Sequence, residues 1–414
     1  MSQQYLAGMG GSVRPLARAV AGPSGPAASE TASCGPSLDI PALNAVALHS
    51  LDSLFDANES LFCRCAMTAD VGFLRTQTSR RHTIIALLGL HRLAESGVAQ
   101  PFDLASVRDA VLAETNWVRG VADLGLLTWF TAEFVPDRLR GLFNEFDFDR
   151  VLETCVDGHQ ARTTGLAWFL AGIAQARLAS PLALPDLSDV ALATYRLLQD
   201  SQGESGVFGH YTCPGFLRQA FSCRFGTFGD QIHSIYALTA FARAFQIEEP
   251  LASALCCANS MCALQGEMGQ WWFLYDKQAC RVVNRYPVYS LHQGGTAPVG
   301  LLALGEATGQ SFHESIYRGL SWMTGANELG EDLRSLERGL VGDSIRPKSR
   351  TAKYWEAALS FFGVSRKPQA DALRIRYEAR PDHFGWSLYA FGSRGLPKAT
   401  VSPKALTAGS EPGT

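Results

Sequence analysis

Residues 162–176 read RTTGLAWFLAGIAQA, a short polar start followed by a run with almost no charge. Ala, Gly, Leu and aromatic residues would occupy every side of a helix formed by this run. A surface helix keeps a polar stripe, whereas a helix that is apolar all round is buried. The stretch therefore predicts a buried helix, with Arg162 and Thr164 at its amino end.

Five further segments repeat this design at intervals of roughly 40 to 90 residues, a range typical of repeat architectures. They are RHTIIALLGLHRL (81–93), DLGLLTWFTAEF (123–134), DQIHSIYALTAFARAF (230–245), HQGGTAPVGLLALGEATG (292–309) and DHFGWSLYAFG (382–392). The sequence between them carries more charge, as in VRDAVLAETNWVRGV (107–121). These intervening helices are expected to be amphipathic and to cover the buried ones.

Six alternations of an amphipathic outer helix with a buried inner helix predict an all-α (α/α)6 toroid, a barrel of six helical hairpins. Ala, Gly and Ser on the inner helices would let them approach closely around the axis. Strand signals are few, since no sustained period-two alternation bounded by hairpin turns occurs. We expect one toroid domain at 39–394, between flexible tails rich in small residues and Pro at 1–38 and 395–414.

Two turns between outer and inner helices share a pattern of Gln, three residues, Gly, one residue and an aromatic residue. The copies are QGESGVF (202–208) and QGEMGQWW (265–272), and FDANESLF (55–62) is a weaker copy without the Gly. Gly permits the left-handed conformation that ends a helix. The Gln side chain is expected to hydrogen-bond a neighbouring helix end.

This pattern resembles the QW repeat of the terpenoid cyclase and protein prenyltransferase superfamily, whose members are α/α toroids. The resemblance implies the fold and a squalene cyclase-like repeat. It carries over no catalytic residue, because the DxDD, DDxxD and Asp-x-Cys zinc motifs of that superfamily are absent. The nearest text is EFDFD (145–149), where Asp147 is more simply a helix cap. Similar repeats also occur in glycosidase, epimerase and lyase toroids.

In such a toroid the inner helices run in the same direction, so their amino ends surround one opening. The polar residues at these ends are His82, Asp123, Arg162, Thr164, Asp230, His233, His292, Gln293, Asp382 and His383. Helix amino ends also favour bound anions. We expect Asp230 and His383 to act in acid–base catalysis, and His82 and His233 to bind substrate.

The densest cluster of chemically useful residues is WWFLYDKQACRVVNRYPVYSLHQ (271–293). Aromatic side chains stabilise a developing cation or stack on a sugar. The predicted substrate-binding wall comprises Trp271, Trp272, Tyr275 and Tyr286. Asp276 in such a wall would have a raised pKa and is the predicted general acid. Tyr289 and His292 are predicted proton carriers.

A second cluster, YEARPDHFGW (377–386), precedes the last inner helix. Glu378 could pair with Asp276 as the second carboxylate of a glycosidase. Arg380 is expected to bind an anionic group of the substrate. The alternative interpretation of the cluster is a set of ion pairs that closes the ring.

Composition excludes several classes of function. The charges nearly cancel, with 36 Lys and Arg against 39 Asp and Glu, so no basic surface for nucleic acid or a membrane is expected. No apolar run reaches the ~18 residues of a membrane span. The set His210, Cys213, Cys223 and His233 is only loosely zinc-like, and neither a metal nor a cofactor is expected.

The leading functional interpretation is a cytoplasmic biosynthetic enzyme that performs acid–base chemistry on an isoprenoid-like substrate in the central cavity. The first alternative is a carbohydrate-active toroid of the hydrolase, epimerase or lyase type, with a glycan as substrate. The second alternative is a catalytically inactive toroid that acts as a binding partner. The sequence indicates no particular oligomeric state.

Overall fold

Thirteen α-helices form the bulk of the part of the chain that the computed structural model describes, namely residues 39–68, 73–158, 161–181, 187–212, 223–335, 340–349 and 370–394. In chain order they are α1 (Ile40–Leu54), α2 (Arg80–Glu95), α3 (Leu104–Leu112), α4 (Val121–Phe134), α5 (Leu139–Glu145), α6 (Phe148–Asp157), α7 (Thr163–Ala179), α8 (Ser188–Ser201), α9 (Phe228–Phe245), α10 (Glu249–Ala263), α11 (Ala297–Thr308), α12 (His313–Met323) and α13 (Pro381–Phe391). The two predicted tails lie outside the described residues.

The six segments predicted to be buried all form helices, and these helices make a closed ring. They are α2, α4, α7, α9, α11 and α13, and a π-helical turn at His292–Thr296 leads into α11. Each packs against the next in chain order, and α13 closes the ring against α2. Helices α1, α3, α6, α8, α10 and α12 alternate with them along the chain and lie outside. The predicted all-α toroid is thereby confirmed.

Glycines set the closest approaches within the inner ring. A Cβ atom at Gly172 of α7 would overlap the carbonyl oxygen of Gly125 in α4. A Cβ atom at Gly89 of α2 would overlap the carbonyl oxygen of Gly385 in α13. The small residues of the inner helices therefore permit backbone-to-backbone contact around the axis.

The two glutamine turns have the same geometry. In each, the Gln side chain donates one hydrogen bond to the glycine carbonyl four residues later and one to a carbonyl near the start of the next outer helix. The bonds from Gln202 reach Gly206 and Ser253 at 3.0 Å, and those from Gln265 reach Gly269 and Ser315 at 2.9 Å. Both glycines have the predicted left-handed backbone, with φ of +85° and +91°. The motif thus fastens each turn to the following hairpin.

Three small antiparallel sheets were not expected from the sequence. Their strands are β1 (Phe55–Asp56), β2 (Leu61–Phe62), β3 (Ala66–Thr68), β4 (Phe73–Arg75), β5 (Phe225–Thr227), β6 (Leu274–Asp276), β7 (Arg281–Asn284), β8 (Val288–Tyr289), β9 (Arg334–Ser335), β10 (Leu340–Pro347) and β11 (Leu373–Ala379). The sheets pair β1-β2, β5-β6-β7 and β4-β3-β11-β10-β8, with β9 on β10. The sequence does not indicate these strands, because most have two to four residues and many pair with distant segments.

The sheets lie where the inner helices begin. Strands β5 and β11 run almost directly into α9 and α13, while β4 and β8 shortly precede α2 and α11. One face of the six-stranded sheet is buried and apolar, with Val288, Ile345 and Leu373. Its other face carries Tyr289, Ser344, Arg346, Arg376 and Glu378, which the strand register places on the same side. We call this six-stranded sheet the mouth sheet, because it lies at the end of the ring where the inner helices begin.

Candidate functional site

The amino ends of the inner helices converge at one end of the ring, which we call the mouth. Arg81 of α2 and Asp123 of α4 form an ion pair, with Nε and Oδ1 2.7 Å apart. The Thr164 hydroxyl of α7 donates to Asp230 of α9 at 2.6 Å. His292 then lies 4.8 Å from the ring of Phe228 at the start of α9. Adjacent helices are thus joined by side chains from their first turns.

An aromatic layer fills the axis of the ring below the mouth. The indole of Trp129 stacks on Tyr236 with ring centroids 4.8 Å apart and lies 5.6 Å from both Trp386 and Tyr389. These rings come from α4, α9 and α13, which are not neighbours in the ring, so the contacts cross the axis. The hydroxyls of Tyr236 and Tyr389 are 3.0 Å apart. This layer forms a floor beneath the polar groups of the mouth.

Four mouth histidines are neutral at physiological pH. Burial lowers the pKa values of His82, His233 and His383 to about 4 and that of His292 to about 3. The neighbouring His233, His383 and Arg380 lower the pKa of His292 further, and its buried Nδ1 has no hydrogen-bond partner among the described residues. His292 and Tyr289 have ring centroids 5.2 Å apart. These imidazoles are available as neutral hydrogen-bonding groups, but pKa values this low make them weak bases.

His233 lies at the mouth between two tryptophan rings. Its ring lies 5.4 Å from Trp168 of α7 and 5.9 Å from Trp386 of α13. Trp168 was not predicted as a site residue, because on the sequence it is one aromatic among many in an apolar helix. Its indole N–H has no partner among the described residues. An aromatic ring beside a polar group offers both stacking and a hydrogen bond to a sugar.

Asp343 of β10 is the group with the chemistry of a general acid. It is 4% exposed, and burial together with the nearby Glu378 carboxylate raises its pKa to about 6. The Ser344 hydroxyl donates to it at 3.0 Å, and Arg346 is 3.5 Å away. Sequence reasoning missed Asp343 because β10 was not predicted. The available signal was a single acidic residue inside the short run LVGDSIRP.

Glu378 and Arg380 both lie at the mouth sheet, and each has an ion-pair partner. Glu378 pairs with Arg376. Arg380 contacts Asp382 with both ends of its guanidinium, at 2.9 and 3.2 Å. Burial alone would raise the pKa of Asp382, but Arg380 and the nearby histidines hold it below its usual value. Arg380 is therefore engaged by Asp382, in agreement with the alternative interpretation of ion pairs that close the ring.

Asp276 lies in the three-stranded sheet, and its hydrogen bonds are those of a structural residue. Its side chain is fully buried and accepts two bonds from Arg224, at 2.6 and 2.9 Å. It also accepts from the backbone N–H groups of Gln278 and Ala279. Burial alone would raise its pKa, but these donors lower it. The expectation of a raised pKa is wrong, because every donor stabilises the charged form.

We accordingly expect Asp276→Asn to reduce stability and to leave chemistry at the mouth intact. The change removes charge-assisted bonds to Arg224, which should cost about 2 kcal/mol of unfolding free energy. Urea unfolding measures this loss. An unchanged midpoint would contradict this structural role of Asp276.

The predicted aromatic wall has contacts other than those of the mouth. Trp271 is fully buried between Phe228 and Gly319 of outer helix α12. Trp272 lies edge-on to Tyr286, whose hydroxyl donates to Glu328 at 2.7 Å. Tyr275 is fully buried in β6. All four rings belong to the hydrophobic core, and the two tryptophans end the glutamine turn that is bonded to the next outer helix.

Asp230 lies at the mouth but beneath its surface. It is fully buried and accepts hydrogen bonds from Thr164, Thr227 and His210. Burial alone would raise its pKa, but His210 and the hydroxyl donors hold it below its usual value. Within the described residues no group of three or more His, Cys, Asp or Glu could hold a metal, and Cys213 lies outside them.

Comparison with known proteins reveals similarity to solved structures only. No model of a protein family matches the chain, and a search of curated proteins also finds no match. A sugar epimerase from a ruminal bacterium superposes with a TM-score of 0.57 at 9% identity, over 86% of this chain and 99% of that one. An unsaturated glucuronyl hydrolase from Streptococcus agalactiae gives 0.55 at 12% identity, over 87% and 93%.

A third structure is a possible member of glycoside hydrolase family 105 from Salmonella enterica. It has a TM-score of 0.52 at 12% identity, over 86% of this chain and 93% of that chain. At these identities the likeness establishes the fold, an α/α toroid. Among the residues that the structure describes, no helix is long and apolar enough to span a membrane.

The comparisons correct the leading functional interpretation. The three structures named above are described as a sugar epimerase, an unsaturated glucuronyl hydrolase and a possible glycoside hydrolase, and none of the three is a terpenoid cyclase or a prenyltransferase. The expectation of an isoprenoid-like substrate and a biosynthetic role is therefore wrong. The glutamine turn misled because its role is to fasten hairpins together, which any α/α toroid requires.

Proposed function

We propose that the protein is a carbohydrate-active enzyme that cleaves a glycosidic bond at the mouth of the toroid. The observation that carries this proposal is Asp343, a buried carboxyl group with a pKa of about 6 beside the carboxylate of Glu378. A proton donor for a sugar oxygen must keep its proton near neutral pH, and this environment favours that form.

The shape of the mouth also supports a sugar. Trp168 lies beside His233, which also contacts Trp386 of the aromatic floor, so apolar rings lie next to hydrogen-bonding groups. Sugars bind to such combinations because their ring faces are apolar and their edges carry hydroxyls. The similar structures of known activity include an unsaturated glucuronyl hydrolase and a sugar epimerase.

Epimerisation or elimination is the second candidate. It is favoured by the buried, unpartnered Nδ1 of His292 beside Tyr289. The imidazole is neutral and can take a proton from a sugar carbon, and a tyrosine can return one, but a pKa of about 3 makes His292 a weak base, which is why this candidate is second.

Incubation with defined sugars tests the proposal. The panel comprises unsaturated uronyl disaccharides from chondroitin and heparin, gluco- and rhamno-oligosaccharides, and free hexoses and N-acetylhexosamines in deuterated water. We expect ¹H NMR to show new reducing-end anomeric signals with one class of oligosaccharide. Deuterium entering a free sugar without cleavage would favour the second candidate. No change in any sugar would contradict both and favour a binding protein.

A further inference from the structure

We infer that His210 is the proton-accepting catalytic residue of the mouth and that buried Asp230 is its positioning residue. The inference rests on the proposed function. It begins from the hydrogen bond between His210 Nδ1 and Asp230 Oδ2, which is 2.9 Å long. His210 was noted on the sequence only as part of a loose zinc-like pattern.

The surroundings of Asp230 determine the state of the pair. Oδ1 accepts from the Thr164 hydroxyl and backbone N–H, at 2.6 and 3.3 Å. Oδ2 accepts from the hydroxyl and backbone N–H of Thr227, at 2.7 and 2.8 Å, as well as from His210. A carboxylate with five donors is held in its charged form. It can therefore only accept from His210, which places the proton of a neutral imidazole on Nδ1.

The other ring nitrogen of His210 then carries a lone pair directed away from Asp230. The His210 side chain is 31% exposed while Asp230 is fully buried, so the imidazole is the accessible member of the pair. No hydrogen-bond partner reaches Nε2 from any described residue. The His210 backbone is fixed between α7 and β5, because its carbonyl accepts from Thr163 at 3.0 Å and its N–H donates to Phe225 at 2.9 Å.

The order of helices in the ring places His210 and the proton donor Asp343 at different gaps of the mouth. His210 lies between α7 and α9, the third and fourth inner helices. Asp343 lies on strand β10 of the mouth sheet, between β8, which precedes the fifth inner helix α11, and β11, which precedes the sixth, α13. The two gaps are therefore separated by two helices along the ring. His233 lies between the two sides, since the carboxylates of both Asp230 and Asp382 act on its pKa.

This arrangement provides a base and an acid at two separate places on the mouth. His210 Nε2 takes a proton from water as the water oxygen bonds to the anomeric carbon. The glycosidic C–O bond breaks with its electron pair on the leaving oxygen, and Asp343 supplies the proton to that oxygen. Water attack from the side opposite the leaving group inverts the anomeric configuration.

The experiment uses the full chain and the oligosaccharide that the wild type cleaves. His210→Gln keeps an N–H donor for Asp230 and loses the basic nitrogen, so kcat should fall by about 10²–10⁴-fold with KM nearly unchanged. In His210→Ala, added imidazole should restore part of the turnover. Asp230→Asn should lower kcat without rescue by imidazole, because the exposed nitrogen of His210 would then carry the proton. The product of the wild type should have inverted configuration.

Arg224→Gln is the matched control. Arg224 is 33% exposed and pairs with fully buried Asp276, much as His210 pairs with Asp230, but an arginine does not exchange a proton in catalysis. This control should lose stability and keep kcat. Turnover unchanged in His210→Gln, no rescue of folded His210→Ala, or a product of retained configuration would each overturn the inference while the proposed function stands. No cleavage by the wild type would overturn both.

Discussion

Asp343→Asn is expected to reduce sugar cleavage by about 10²–10⁴-fold, the usual contribution of a general acid. Asn has nearly the same size and can keep the hydrogen bond with Ser344, but it has no proton to give to a leaving oxygen. The measurement is kcat on the cleaved oligosaccharide, together with the urea midpoint. Full activity in a folded Asp343→Asn variant would show that cleavage does not need the Asp343 carboxyl group, and the proposed function depends on that group.

The pH dependence follows from the same group. The reaction requires protonated Asp343, so kcat should fall as the pH rises through about 6. This limb of the profile should be absent from the residual activity of Asp343→Asn. A residual activity with the same limb would assign the titration to another residue.

Stability should depend on Asp343 in the same pH window. Burial raises its pKa in the folded state from 3.8 to about 6, so folding favours the protonated form. This contribution to the unfolding free energy is fully present below pH 3.8 and is lost as the pH rises through about 6. The difference of about two pKa units corresponds to about 3 kcal/mol. Relative to Asp343→Asn, the wild type should therefore lose about 3 kcal/mol between pH 3.5 and 7.

Gly172→Ala is expected to destabilise the toroid by about 3 kcal/mol or more, because the methyl group would overlap the backbone of Gly125 in the adjacent inner helix. Neither helix can move away without disturbing its contact on the other side of the ring. Urea unfolding followed by circular dichroism measures the change.

Gly141→Ala is the matched control for that substitution. Gly141 also lies in a helix, α5, but a Cβ atom there would meet nothing within 4 Å. Ala is the better helix former, so the control should gain about 0.5 kcal/mol. Equal effects of the two substitutions would mean that α4 and α7 are not in backbone contact.

The inner ring could be predicted because its signal is local. A helix without a polar face, such as 162–176, has to be buried, and six such helices with charged helices between them can close only on one another. The glutamine turns could also be predicted in detail, since the left-handed glycine and the hydrogen bond to the next helix each follow from one residue type. Their family resemblance identified the architecture and not the substrate.

The mouth could be predicted only in part. His82, His233, His292 and His383 were found because each begins an inner helix. Asp343 was missed because its strand is defined by pairing with β8 and β11, which lie about 30 to 55 residues away in the chain. Asp276 was misjudged because its environment depends on Arg224, 52 residues earlier, and no local pattern records that partner. Sequence spacing locates helix ends, but long-range pairing determines which carboxylate keeps its proton.

The central claim is that a sugar binds at the mouth, between the mouth sheet on one side and Trp168 and His210 on the other. A crystal structure of Asp343→Asn with the oligosaccharide that the wild type cleaves tests it most directly. We predict that a sugar ring will lie above the aromatic floor, with its glycosidic oxygen within hydrogen-bond distance of residue 343. A sugar bound at the opposite end of the ring, or on the outer helices, would contradict the account.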